Sequence, residues 1–283
     1  MSDYLLELKL ELRLICHKFL NLFSSCICRR CNQKFTDNTQ DIICENCLEN
    51  SLLSENTGLK ISDNGIKIYF SSLYQESLIE EVLLENALDI EEQLKFNREQ
   101  MLDFKYKKPE LCFLFSKYLE SFYRTIFMTH TGIGVPLHTQ YEIPEQCSLI
   151  ICCVPCFPDR KYDQAFLLAK YFYKFLKAAT PLRFKKNIKF IPELFYRVKN
   201  TERLYDKSAS ERKHELEGAF RINERAESEN AEIEVREQCQ KILIVDDIVT
   251  TGTTINELGK ILINKGAQAE NIIGLTALGR NYH

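Results

Sequence analysis

The stretch KILIVDDIVTTGTTINELGKILINKGAQAENIIGLTAL, residues 241–278, constrains the fold more than any other. Ile242 to Val245 is a short apolar, mostly β-branched run and reads as a buried strand. In the segment that follows, Ile255, Leu258, Ile261 and Leu262 share one helical face, and Gly266 is the expected stop. NIIGLTAL, 271–278, is a second strand. A strand, a helix and a strand in this succession make a βαβ unit, whose two strands run parallel. The expected class is therefore α/β, with a parallel sheet flanked by helices.

Between strand and helix lies Asp246-Asp247, two residues, then Thr250-Thr251-Gly252-Thr253-Thr254. One Gly permits a tight turn and four Thr supply hydroxyls. A helix start with its preceding backbone N–H groups is a nest for an anion such as a phosphate monoester. Two carboxylates beside a phosphate repel it, each by about 1 kcal/mol in partly aqueous surroundings. The pairing makes sense if the acids face another part of the same ligand. Vicinal sugar hydroxyls donate well to carboxylates, and a hard cation such as Mg²⁺ can bridge. The implied ligand is a ribose 5-phosphate, its phosphate in the loop and its diol on the acids. The plain alternative, a strand-to-helix turn with Thr caps, leaves the paired acids unexplained.

Elsewhere, Ile66–Phe70 reads as a strand followed by mostly helical sequence to 128. SLIICCV, 148–154, is a buried strand, 165–179 a helix with aromatics on its apolar side, and 188–191 a further strand. Residues 50–65 read as a linker with turns. Residues 199–237 are charged and apolar-poor, and read as helical pieces and a solvent-facing loop. Near the N-terminus, Leu5, Leu8, Leu12, Ile15, Phe19 and Leu22 alternate spacings of three and four, an a/d seam on a helix over 4–23. That helix either docks on its own domain or offers the seam to a second copy or a partner.

Cys28-x₂-Cys31 and Cys44-x₂-Cys47 stand twelve residues apart. Two such knuckles can set four thiolates around one tetrahedral, structural Zn²⁺, with no open position for substrate. Cys147, Cys152, Cys153 and Cys156 lack a matching pair and read as buried small apolar side chains. There are 12 Cys and no export signal, so a reducing, cytoplasmic setting is expected. No run of about 18 apolar residues occurs, so no membrane span is expected. Net charge is −3, which rules out a global field for nucleic acid and leaves only local patches. One such patch runs over 183–213, ten basic residues against four acids. It holds Lys185, Lys186, Arg197, Lys199 and Arg203, with Tyr196 and Tyr205 interspersed for base stacking. A solvated face beside an anionic ligand reads equally well.

The 242–254 segment resembles the phosphoribosyl-pyrophosphate (PRPP) signature of type I phosphoribosyltransferases. Together with the paired CxxC it resembles the ComF family of competence proteins. LDFKYKKPEL (102–111), VPCFPDRKYDQAFLLAK (154–170) and LFYRVKNTERLYDKSASERKHELEGAF (194–220) match further stretches of that family. The expected domains are an amphipathic helix over 1–25, a Cys₄ zinc-ribbon module over 26–50 and a phosphoribosyltransferase-like domain over 66–283; the resemblance covers 26–48 and, in patches, 95–280, and does not place the first helix. It implies that Asp246 and Asp247 take the ribose hydroxyls and that Thr250 to Thr254 cradle the 5-phosphate. Pyrophosphate would lie on the loop of Pro155, Cys156, Arg160 and Lys161, with Mg²⁺ bound alongside PRPP. It also implies a part in DNA uptake, with single-stranded DNA and other uptake proteins as partners. An active transferase acting on an unidentified nucleophile, unrelated to DNA, is the alternative. The chain departs from the family pattern at Lys161, Leu204 and Glu215, where Gly, Gln and Asn are expected.

Overall fold

The computed structural model describes residues 6, 8–12, 26–27, 33–35, 58–73, 87–128, 148–156, 160–199, 208–224 and 240–280. In chain order the strands and helices are β1 (Cys26–Ile27), β2 (Lys34–Phe35), β3 (Leu59–Ile61), β4 (Lys67–Leu73), α1 (Ala87–Tyr106) and α2 (Cys112–Met128). They continue with β5 (Ser148–Cys153), α3 (Gln164–Ala179), β6 (Ile188–Phe190), β7 (Phe195–Arg197) and α4 (Ala209–Leu216). The chain then forms β8 (Phe220–Ile222), β9 (Gln240–Val249), α5 (Thr253–Asn264) and β10 (Ile272–Gly279).

Six strands form one sheet in the order β3-β4-β10-β9-β5-β6. Every neighbouring pair is parallel except β3 with β4. The expected α/β class is what the sheet shows, and β9, α5 and β10 form the expected βαβ unit. The central strands are buried along almost their whole length, because helices cover both faces. Side-chain alternation on β4 shows the two faces. Tyr69 meets Phe127 of α2 edge-to-face at 5.1 Å. Ile68 points the other way, towards α5, across Gly274 of β10.

Three elements differ from the sequence reading. The stretch expected to be a linker contains β3, which pairs with β4 through a turn at Gly65 (φ 77°). The charged 199–237 stretch contains α4 but also β8, which pairs antiparallel with β7. These strands are three residues long, too short to carry a period-2 signature. Of the N-terminal helix, positions 6 and 8–12 are described. Its buried side is Leu6 and Leu10, while Leu8 and Leu12 of the predicted seam are 44% and 52% exposed. Glu11 accepts a hydrogen bond from Tyr171 and pairs with Lys174, which docks this turn on α3.

β1 and β2 pair antiparallel across the segment that holds the first CxxC. Cys28, Cys31, Cys44 and Cys47 lie outside the described residues, as do Cys147 and Arg203. Cys152 and Cys153 are buried free thiols, as expected, and Cys156 is half-buried. No described helix is long and apolar enough to cross a membrane.

Candidate functional site

All five parallel strands point one way, so their C-terminal ends share one edge, where ligands bind in open α/β sheets. β9 brings Asp246 and Asp247 to that edge. On one side β10 holds Thr276 in register with Asp246. On the other, Val154 extends the β5 pairing by donating its N–H to Val245 O at 3.0 Å. That bond sets Pro155 and Cys156 beside the two acids. The sequence placed these two segments ninety residues apart; the register of one strand pair joins them.

The loop after β9 has the geometry of an anion cradle. Gly252 stands at the helix N-cap with φ 80°, a left-handed conformation that L side chains rarely adopt. A Cβ there would lie 2.7 Å from Ile68 Cδ1, which the tip of that side chain can relieve by turning, so the conformation rather than the space calls for glycine. No side chain caps α5, which leaves its first-turn N–H groups available to a ligand. Thr251 and Thr253 share a hydrogen bond of 2.8 Å between their hydroxyls. Thr250 Oγ1 accepts from Arg212 Nη1 at 2.7 Å. Arg212 reaches in from α4, whose N-terminus is closed by a capping box of Ser208 and Glu211.

The two acids have opposite electrostatic surroundings. Asp246 accepts the N–H of Asp247 at 2.8 Å, but burial and the neighbouring carboxylate push its pKa up to about 8. Burial acts the same way on Asp247, yet its pKa is lowered overall, first by Lys105 and then by Arg160. Lys105 Nζ lies 2.9 Å from Asp247 Oδ2, and Arg160 Nη1 lies 4.0 Å from the same oxygen. Arg160 also donates to Gln164 Oε1 at 2.8 Å, and Gln164 Nε2 donates to the carbonyl of Lys105 at 3.0 Å. One polar chain thus links the end of α1, the start of α3 and the second acid of β9.

Of the loop residues expected at the pyrophosphate position, Arg160 and Lys161 are both exposed, and Arg160 reaches Asp247. Cys156 borders the site, where burial and then Asp163 push its thiol up to about 12, which disfavours the thiolate. Arg197, expected in a nucleic-acid patch, is half-buried, with its guanidinium 4.6 Å from the centre of the Phe220 ring. Burial lowers its pKa, while the nearby Asp246 carboxylate acts in the other direction. It belongs to the acid edge. Lys185 and Lys186 sit in a turn before β6, at the opposite edge of the sheet. Lys199 lies past β7 and donates to Glu217 O at 2.6 Å. The basic patch of the sequence is therefore divided between two edges.

Lys105, Gln164 and Arg212 were not expected in the site by number. Each is remote from β9 in sequence, and only the packing of α1, α3 and α4 delivers it. The nearest signals were the lysine-bearing LDFKYKKPEL and the Arg of the 194–220 stretch, both within the family resemblance.

Comparison with known proteins agrees with this geometry. Residues 190–281 match the phosphoribosyl transferase domain family. A stretch of 140 residues is 32% identical to competence protein F of Haemophilus influenzae, covering 48% of this chain and 52% of that protein. The match thus spans about half the length of that curated relative.

Proposed function

We propose that this chain, a ComF-type protein with a phosphoribosyltransferase-like domain, binds PRPP or a related ribose 5-phosphate and serves in DNA uptake. The observation that carries the binding reading is the conjunction at one sheet edge. An uncapped helix start on a left-handed glycine stands next to a half-buried acid, Asp246, and a buried one, Asp247, with cations on the second. The phosphate takes the N–H groups and hydroxyls of 250–254, and the 2′ and 3′ hydroxyls donate to Asp246 and Asp247. The pyrophosphate faces Arg160 at the 155–160 loop.

The paired carboxylates are suitable donors for Mg²⁺, which when bound with PRPP would draw charge from the pyrophosphate oxygens. Cys28, Cys31, Cys44 and Cys47 would hold a structural zinc through four thiolates; in the sequence, β1 and β2 lie on either side of the first CxxC. The DNA-uptake role rests on the name of the relative, competence protein F. Four free thiols among the described residues fit a reducing, cytoplasmic setting.

Calorimetric titration of PRPP tests the site. Wild type should bind, and the Asp246→Ala/Asp247→Ala variant should lose at least about tenfold in affinity, the scale of one charged hydrogen bond or more. Equal binding by the two proteins refutes the assignment. A transferase reading is favoured by the cations on the pyrophosphate side. They would stabilise a leaving group as the C1–O bond breaks with its electron pair and a nucleophile joins C1 while losing a proton. Release of pyrophosphate from PRPP in the presence of candidate acceptors, starting with single-stranded DNA, decides for or against it.

A further inference from the structure

We propose that Lys105, together with Arg160, is a built-in cation of this site that takes the pyrophosphate side of the ligand and lets it bind without a divalent ion. The proposal rests on the ribose 5-phosphate reading above.

α1 ends in three lysines with different fates. Lys107 and Lys108 both turn back on Asp103, with ammonium groups 3.7 Å and 2.6 Å from its carboxylate. Their backbone N–H groups also bond to Asp103 O, which closes the helix end. Lys105 alone crosses to Asp247, and its side chain is 18% exposed against 75% and 46% for the other two. The helix terminus therefore does not require Lys105; the acid edge is what holds it.

Charge balance at Asp247 needs one cation, yet two converge on a single oxygen, Oδ2. Arg197 lies close enough to Asp246 for its charge to be felt there, and Arg212 is on Thr250. Asp163 caps α3 through Phe166 N at 2.8 Å and keeps its negative charge. Lys105, Arg160, Arg197 and Arg212 thus face Asp246, Asp247 and Asp163, four cations against three acids, at an edge that also presents uncapped helix N–H groups. An anion with more than one phosphate offsets that excess.

Gln164 gives the pair its geometry. It is 3% exposed, accepts from Arg160 and donates to the backbone of Lys105, so the two cations are held on one buried amide. Gln164 holds the carbonyl of Lys105, while the ammonium stands on a flexible four-carbon stem. When the diol occupies Asp247, the ammonium has three donors with which to span that carboxylate and a pyrophosphate oxygen. A divalent ion at this place would bridge the same two groups.

The test is PRPP titration into the full-length protein in excess EDTA and in millimolar Mg²⁺, for wild type, Lys105→Met and Lys105→Arg, with thermal melting to check folding. Wild-type affinity should change by less than about threefold on chelation. Lys105→Met should weaken by at least about tenfold in EDTA and regain most of that loss with Mg²⁺. Lys105→Arg should stay near wild type in both buffers. A wild-type loss above about threefold in EDTA overturns the proposal, and that arm decides even if Lys105→Met fails to fold. Equal weakening of Lys105→Met in both buffers also overturns it. Absence of wild-type binding even with Mg²⁺ refutes the ribose 5-phosphate reading itself, and the proposal falls with it.

Discussion

At the residue scale, Asp246 and Asp247 show how one sequence signal divides into two chemistries. The adjacent acids are alike in the sequence. In the fold, Asp247 meets two cations and Asp246 meets burial and a like charge. The sign of the consequence for stability follows. Asp246 has a folded pKa of about 8 against an ordinary 3.8, so the native state holds the extra proton between those values. Stability therefore falls as pH rises through that window. Asp246→Asn should raise thermal stability, and the gain should grow from pH 5 to pH 8 by at most about 1.4 kcal/mol per pH unit. A gain independent of pH would show that Asp246 titrates normally. The motif was legible in the sequence because it is local. Lys105 and Gln164 were legible only as parts of the stretches that carry the family resemblance, since a lysine at a helix end and a glutamine at a helix start are common and name no partner.

At the element scale, the N-terminal helix shows where periodicity misleads. Both Leu8–Leu12 and Leu6–Leu10 have helical spacing, and the longer a/d series pointed to the first. The helix docks by the second, because Glu11 is drawn to Tyr171 and Lys174 of α3 and fixes the rotation. Leu10→Ala should cost about 2–5 kcal/mol in urea unfolding, as for a buried leucine, and Leu8→Ala less than about 0.5 kcal/mol. The reverse order would restore the seam. Between β10 and α5 the limit is space. A Cβ on Gly274 would lie 2.9 Å from both Ile255 Cδ1 and Ile68 Cγ2. Gly274→Ala should therefore cost about 1–3 kcal/mol by overpacking, visible as a lower urea midpoint at an unchanged slope.

At the scale of the whole molecule, the sheet divides what the sequence had grouped. β6 runs parallel to β5, so residues before it and residues after it lie at opposite edges. Lys185 and Lys186 come before, Arg197 after. Lys185→Ala/Lys186→Ala should leave PRPP affinity within about twofold of wild type, since at that separation exposed charges are screened. Arg197→Ala should weaken it. If the lysine pair matters as much as Arg197, the division by edge is wrong. Single-stranded DNA binding, if present at low salt, should fall steeply between 50 and 200 mM salt, and loss of the lysine pair should reduce that slope. On the proposed Cys₄ site, wild type should carry about one zinc per chain and Cys44→Ser should not; a tightly held ion retained in the variant would refute the assignment.

What the sequence determined by itself was local: the strand-loop-helix with its acids, the βαβ unit of a parallel sheet, the glycine of the tight turn and the buried thiols of β5. Each depends on neighbours within about one turn or one strand, where backbone geometry and hydrophobic period act directly. What only the tertiary structure decided was long-range. The strand register brings Val154 to Val245, helix packing carries Lys105 and Gln164 to Asp247, and the sheet separates Lys186 from Arg197. Such meetings have no sequence period. They arise when layers close on a common core and side chains remote in the chain must satisfy one another's charge and hydrogen bonds at its edge.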